Sequence, residues 1–228
     1  MTTITISYLG FSCFKFEVKN HEEVDFVTDP FSKTDSLKLP KNLFVDFVTI
    51  SSQNPLHNAA EFVKPKKEKI KTISNPGEYE IKGVFINGMP CVTKDKNGKI
   101  IHTNTIYNFL INDIQITHLG SIVKSLSDEE IQGLGNCDVL LLPISPDPEI
   151  SVKDSPIMKN LVDIVNRVEP RILIPMHFKM SESKINLNPL DKFLKEIGQT
   201  KVEPLKKFKF SKKDLPEEEM KVMVLTKD

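Results

Sequence analysis

The chain has 228 residues, of which 39% are hydrophobic and 27% charged, so a sizeable core is available and the class is an ordinary globular one. Lysine plus arginine and aspartate plus glutamate both number 31, and a net charge of zero gives no basic excess for a nucleic-acid partner. Cys13, Cys91 and Cys137 form no CxxC pair, which speaks against a structural zinc site or a disulfide framework and for cytosolic thiols.

The first segment, "MTTITISYLGF", has no basic lead and alternates like a strand, which is wrong for a signal peptide. The longest apolar run, "VLLLPI", is too short to span a bilayer. A cytoplasmic, soluble protein without membrane contact is therefore expected.

In chain order, Thr3 to Leu9 and Cys13 to Lys19 alternate apolar and polar residues around "GFS", the pattern of a hairpin. "VDFVTDP" reads as a third strand stopped at Pro30, which cannot donate to a ladder. Further strands are predicted at Phe47 to Ser51, Ile70 to Ile73, Gly83 to Asn87, Ile106 to Ile111 and Ile114 to His118. In "CDVLLLPI" and "RILIPMH" the apolar residues are continuous, as in strands buried on both faces. Ser127 with Glu130 makes a capping box. Ser155-Pro156 opens a helix that stops before Pro170, and Asn188-Pro189 opens another that ends at Gly198. "KKFKFSKK" near the end reads as an edge strand with a charged outer face rather than a nucleic-acid patch, and "MKVMVLTK" as a last strand.

Strands first, then alternating helix and strand, with no linker, predict a single domain over residues 1–228. A doubly wound sheet would need helices between the early strands. The order fits an α/β (α+β) sandwich of two mixed sheets flanked by helices.

Several segments together resemble the metallo-β-lactamase superfamily, in its small branch of ascorbate-phosphate lactonase-like hydrolases. They are "ITISYLGFSCFKFE", "VTDPF", "SNPGEYEIKGVFINGMP", "NTIYNFL…IQITHLG", "DVLLLPI" and "VEPRILIPMHF", in the family's order over nearly the whole chain. The resemblance implies an αββα metallo-β-lactamase-like sandwich whose active site lies where the two sheets open. It also implies one or two metal ions held by an HxHxDH loop, a later histidine, a bridging aspartate and a final histidine.

Aligned on "SSQNPLHN", the loop ligands fall on Ser52, Asn54, Leu56 and His57. The later histidine falls near Thr93, the bridging aspartate on Ser121, and the final histidine on His177. Five of these seven positions are replaced, and only His57 and His177 remain. Neutral oxygens are poor substitutes for imidazole, and Leu56 cannot ligate. Two histidines alone would hold a metal weakly, so no cofactor is expected, with zinc or manganese the candidates if a metal is retained.

The degenerate metal site points to a non-catalytic pseudoenzyme or binding protein. The alternative is a metal-dependent hydrolase of an ester, lactone or phosphoester with a reduced site. A metal-free version would need Ser52 or Ser121 activated by His57 or His177, with Asp29 as the orienting group. A third class is an interaction protein, with a homo-oligomer as one form and a partner the sequence does not name.

Other residues read more plainly. His118 is expected to be packed and hydrogen-bonded, and His21 and His102 to be solvated. Glu78 and Glu80 share one face of a strand pattern, yet "NPG" reads as a tight turn in which Glu78 serves the backbone. Cys13 and Cys137 read as inert core thiols, and Cys91 as the one to test for reactivity.

Overall fold

The computed structural model describes residues 2–33, 37–148 and 157–227, with the side chains of 157–159 set aside. The first half holds β1 (Thr3–Gly10), β2 (Cys13–Lys19), β3 (Glu23–Thr28), β4 (Phe44–Val45), β5 (Phe47–Thr49), β6 (Lys64–Pro65) and β7 (Lys71–Ile73). The second holds β8 (Gly77–Ile81), β9 (Val84–Lys94), β10 (Ile100–Ile111), β11 (Ile114–His118), β12 (Val139–Pro143), β13 (Ile172–Met176), β14 (Lys207–Phe210) and β15 (Lys221–Val222). Helices α1 (Asp128–Leu134), α2 (Ile157–Val168) and α3 (Leu190–Glu196) follow β11, β12 and β13. Among the described residues no helix is long and apolar enough to cross a membrane.

Two mixed sheets make an α/β sandwich. The first runs β14-β1-β2-β3-β5-β7 and the second β15-β13-β12-β11-β10-β9-β8. Each joins an antiparallel meander to parallel strands: β1, β2 and β3 lead to β5 and β7, while β8 to β11 lead to β12, β13 and β15. Continuous burial of β12 and β13 follows from this central parallel placement, as their unbroken apolar sequences predicted.

Aromatic packing joins the two sheets. Phe26 stacks on Phe16 at 4.4 Å and on Phe47 at 4.6 Å within the first sheet, and meets Phe109 of the second at 4.9 Å. The Tyr107 hydroxyl on β10 lies 3.2 Å from the carbonyls of Ile50 and Ile73, bolting the second sheet to the ends of β5 and β7. These contacts fix the strand ends from which the site is built.

The capping box at Ser127 and Glu130 is present in both directions. The Lys207–Phe210 edge strand pairs with β1, with Phe208 and Phe210 buried and the lysines exposed. Helix α2 ends at Val168 ahead of Pro170, whereas its proposed start at Ser155-Pro156 lies outside the described residues.

Three expectations change. Gly77 begins β8, so Glu78 and Glu80 are exposed on an edge strand instead of in a tight turn. β9 and β10 run 11 and 12 residues, well beyond the predicted spans. The last strand shrinks to Lys221–Val222, followed by a single bridge from Leu205 to Leu225.

Candidate active site

The parallel strands of both sheets point their carboxyl ends at one place, where open α/β sheets put their ligands. Asp29 follows β3, His57 lies in the loop after β5, Asp147 in the loop after β12, and His177 directly follows β13. All four are buried, at 0%, 0%, 1% and 1% exposure, and that burial decides how much their pairing matters.

His57 sits between two carboxylates. Its Nδ1 is 2.7 Å from Asp29 Oδ2 and its Nε2 is 2.9 Å from Asp147 Oδ1. Asp29 is itself held by the Ser51 amide at 2.7 Å and the Ser51 hydroxyl at 2.5 Å. The His177 ring lies parallel to that of His57, 5.5 Å away and 4° from coplanar orientation. Its Nδ1 is 3.2 Å from Ser12 Oγ, and its Nε2 is 3.3 Å from Asp147 Oδ1. That last approach lacks hydrogen-bond geometry, so His177 Nε2 is buried without a hydrogen-bond partner, and Asp147 Oδ2, the other oxygen of that carboxylate, is buried without one too.

The backbone is strained at two of these residues. Asp29 has φ +42° and His177 φ +54°, the left-handed region that costs a side chain roughly 1–2 kcal/mol. Phe11 is left-handed too, and its carbonyl takes the His177 amide at 2.7 Å. Such strain persists where surrounding contacts over-determine the conformation, as Ser51 does for Asp29.

In the metal-free chain the electrostatics separate the two histidines. Burial pushes His57 down, but Asp147 and then Asp29 outweigh it and hold its pKa at about 10. For His177 burial wins over Asp147, and its pKa falls to about 4. Asp147 is lowered because His57 outweighs the burial that opposes it.

The other aligned positions are spent elsewhere. Asn54 Oδ1 accepts from the Leu56 amide at 2.9 Å, and the His57 amide donates to the Asn54 carbonyl at 2.8 Å, an Asx turn that shapes the loop. The Asn54 amide also lies 3.4 Å from Ser52 Oγ. Leu56 packs against the hydrophobic core. Thr93 faces His102 across the β9–β10 ladder.

His102 is not solvated. It is buried on β10, with Nε2 2.8 Å from the Ser121 carbonyl and 3.1 Å from Ser121 Oγ. A nitrogen that donates to the carbonyl cannot also take the Ser121 proton, so this pair is no activated nucleophile. Ser121 does not meet His57 or His177 in any hydrogen bond, and Ser12, which does meet His177, is fully buried. His118 is buried and bonds the Ser12 carbonyl at 2.8 Å, while His21 is exposed.

Cys91 is not a reactive thiol either. All three cysteines are buried; burial raises Cys13 and pushes Cys91 and Cys137 up to about 12. We expect no reaction with Ellman's reagent in the native protein and three thiols in denaturant. Rapid labelling of Cys91 in the folded state would contradict this burial.

Asp147 is the residue the sequence pattern did not expose. It stands in "SPDPEI", just past the buried run "CDVLLLPI", and it reaches both histidines. Leu56 and Ser121 stand where the resemblance implies carboxylates, and the fold brings two others, Asp29 and Asp147, to His57.

The comparisons agree with this architecture. Residues 5–177 match the family described as β-lactamase superfamily domain. A UPF0173 protein of Pyrococcus abyssi is 26% identical over 189 residues, covering 76% of this chain and 82% of its own length. A proposed Zn-dependent hydrolase of the metallo-β-lactamase superfamily from Thermotoga maritima superposes with a TM-score of 0.72 at 28% identity, covering 98% of this chain and all of that one. Igni18, a metallo hydrolase of Ignicoccus hospitalis, shares the fold with a TM-score of 0.61 at 18% identity, over 92% of this chain and 99% of its own. With the strand order, the two meanders and the site at the sheet ends all in place, the chain belongs to the β-lactamase superfamily domain family, a branch of the metallo-β-lactamase fold.

Proposed function

We propose that this chain is a non-hydrolytic member of its family, keeping the fold and a single polar cluster without two-metal chemistry. The carrying observation is the fate of the two aligned carboxylate positions. Leu56 packs against the core, and the Ser121 hydroxyl faces His102, so neither can bridge or hold a second ion. Catalytic metal sites also keep a position open to substrate, and here the whole cluster is buried.

A binding role has a surface to use. Ser51, whose hydroxyl holds Asp29, lines a cavity of about 270 Å³ together with Ser52, Gln53, Asn75 and Thr103. Among the described residues no charged side chain lines it, which favours a small neutral ligand over a phosphate or carboxylate.

One observation favours a second reading, a metal-dependent hydrolase of an ester, lactone or phosphoester with a reduced site. His57, Asp147 and His177 offer three donor atoms within 4.8 Å of one another. A dication bound there would make hydroxide available near neutral pH, the chemistry of metal hydrolases. Asp29 would hold the His57 ring by its Nδ1, and Ser12 would steady His177.

The test is a hydrolase panel of p-nitrophenyl phosphate, bis-p-nitrophenyl phosphate, a p-nitrophenyl ester and a lactone, each with Zn²⁺ or Mn²⁺ added. We expect no turnover above the metal-only background. Turnover that disappears in His57→Ala would replace the first reading with the second.

A further inference from the structure

Two buried carboxylates converge on the ring of His57. Asp29 Oδ2 already receives the Ser51 hydroxyl, and an N–H at His57 Nδ1 completes its bonding. The neutral ring then turns the lone pair of Nε2 toward Asp147 Oδ1, two acceptors 2.9 Å apart. A proton on Nε2 or on Asp147 makes that contact a bond, and either way two carboxylates and one added proton leave the buried cluster with one negative charge.

A dication balances both carboxylates. It would also satisfy Asp147 Oδ2 and His177 Nε2, two of the four buried side-chain atoms without a hydrogen-bond partner among the described residues and the two that lie in this cluster. Two imidazoles and a carboxylate are a donor set that suits zinc. Asp29 on the far nitrogen of His57 is the outer carboxylate that fixes a ligand's tautomer.

We propose that His57, Asp147 and His177 form a closed site for one divalent transition-metal ion, with Asp147 replacing the loop carboxylate lost at Leu56. The substitute comes from the loop after β12, not from the loop that carries His57. Such an ion would link the first sheet, through His57, to the second, through Asp147 and His177. This does not depend on whether the chain hydrolyses anything: metal without turnover supports the site and the non-hydrolytic reading together, and metal with turnover supports the site while overturning the non-hydrolytic reading.

The experiment uses the untagged full chain, stripped with EDTA, reloaded with Zn²⁺ and passed through gel filtration before elemental analysis. One equivalent of zinc per chain is expected, with a higher melting temperature than the stripped protein, because ligand that binds only the folded state stabilises it. Co²⁺ in place of Zn²⁺ should give a visible absorption band from nitrogen and oxygen ligands. Asp147→Ala should weaken uptake at least ~100-fold and Asp29→Asn about 10–100-fold, the range for outer partners of metal ligands. Ser121→Ala should leave uptake unchanged. Wild-type protein that retains well under one equivalent overturns the proposal, and this needs no variant to fold. Full uptake by Asp147→Ala overturns it as well, by placing the ion elsewhere.

Discussion

Replacing Asp29 with alanine is expected to destabilise the fold by roughly 3–5 kcal/mol, the cost of removing one partner from a buried charged pair. Three groups lose their acceptor at once: the Ser51 amide, the Ser51 hydroxyl and His57 Nδ1. Water replaces these bonds poorly, since Asp29 and His57 are fully buried and Ser51 nearly so. Alanine also tolerates the left-handed backbone at this position less well than aspartate does. For a chain of this size the melting temperature should fall by roughly 6–20 °C, at about 2–4 °C per kcal/mol.

Asp29→Asn separates the causes. It keeps the volume, the tolerance for positive φ and a carbonyl oxygen for the Ser51 amide, but it carries no charge for the cluster. A loss about half that of alanine is expected. Urea denaturation reads both, as a lower midpoint with an unchanged slope. A cost under about 1 kcal/mol for Asp29→Ala would mean that the cluster is no fastening of the fold.

The sequence made most of the fold legible because its signals were local. Alternation marked β1 and β2, continuous apolar runs marked β12 and β13, and Ser127 with Glu130 announced α1. β8 was hidden because Asn75, Pro76 and Gly77 spell a turn, yet Gly77, at φ +143°, opens a strand beside β9. His102 was misread for a related reason. Ile101 and Thr103 beside it are exposed, which suggests a loop, but alternation on β10 turns His102 inward.

Of the four site residues, Asp29, His57 and His177 were legible and Asp147 was not. His57 stood out as a lone histidine in an oxygen-rich loop at the end of a buried strand, and His177 ended another. Asp147 carried no such mark. Its partners are 90 residues back and 30 residues ahead, and only the packing of β5, β12 and β13 brings the three together. A carboxylate lost at Leu56 and regained at Asp147 leaves the local motif broken and the local charge restored. Motif alignment registers the first event and is blind to the second. The observable trace was an aspartate just past a fully buried strand, a position that is costly to occupy unless the charge is paired.

Gly120→Ala is expected to be the other severe change, and it tests how the site loop is held. Gly120 sits in "HLGS", the turn after β11, with φ +66°. A Cβ added there would lie 2.3 Å from Asn104 Oδ1, 2.5 Å from Ser51 Cβ and 2.6 Å from Ser51 Oγ. Neither neighbour is free to move aside. Asn104 donates to the Leu119 carbonyl and accepts from the Ser121 amide, both at 2.9 Å. Ser51 holds Asp29 through its amide and hydroxyl, while its carbonyl takes the Thr105 amide at 2.8 Å. The backbone conformation costs about 1–2 kcal/mol for alanine and the overpacking about 1–3 kcal/mol, so a loss of roughly 2–5 kcal/mol is expected. Relief must come from shifting Ser51, which would loosen Asp29 and, through it, His57. A folded Gly120→Ala protein should therefore also bind zinc more weakly than wild type, although Gly120 touches no proposed ligand. Ser51→Gly in the same chain removes the side chain the new methyl would strike. It should recover part of the stability by relieving the overlap, but not the zinc affinity, because Asp29 loses its hydroxyl partner. If Gly120→Ala melts within a degree or two of wild type, the close approach of these two loops is not a real constraint on the fold.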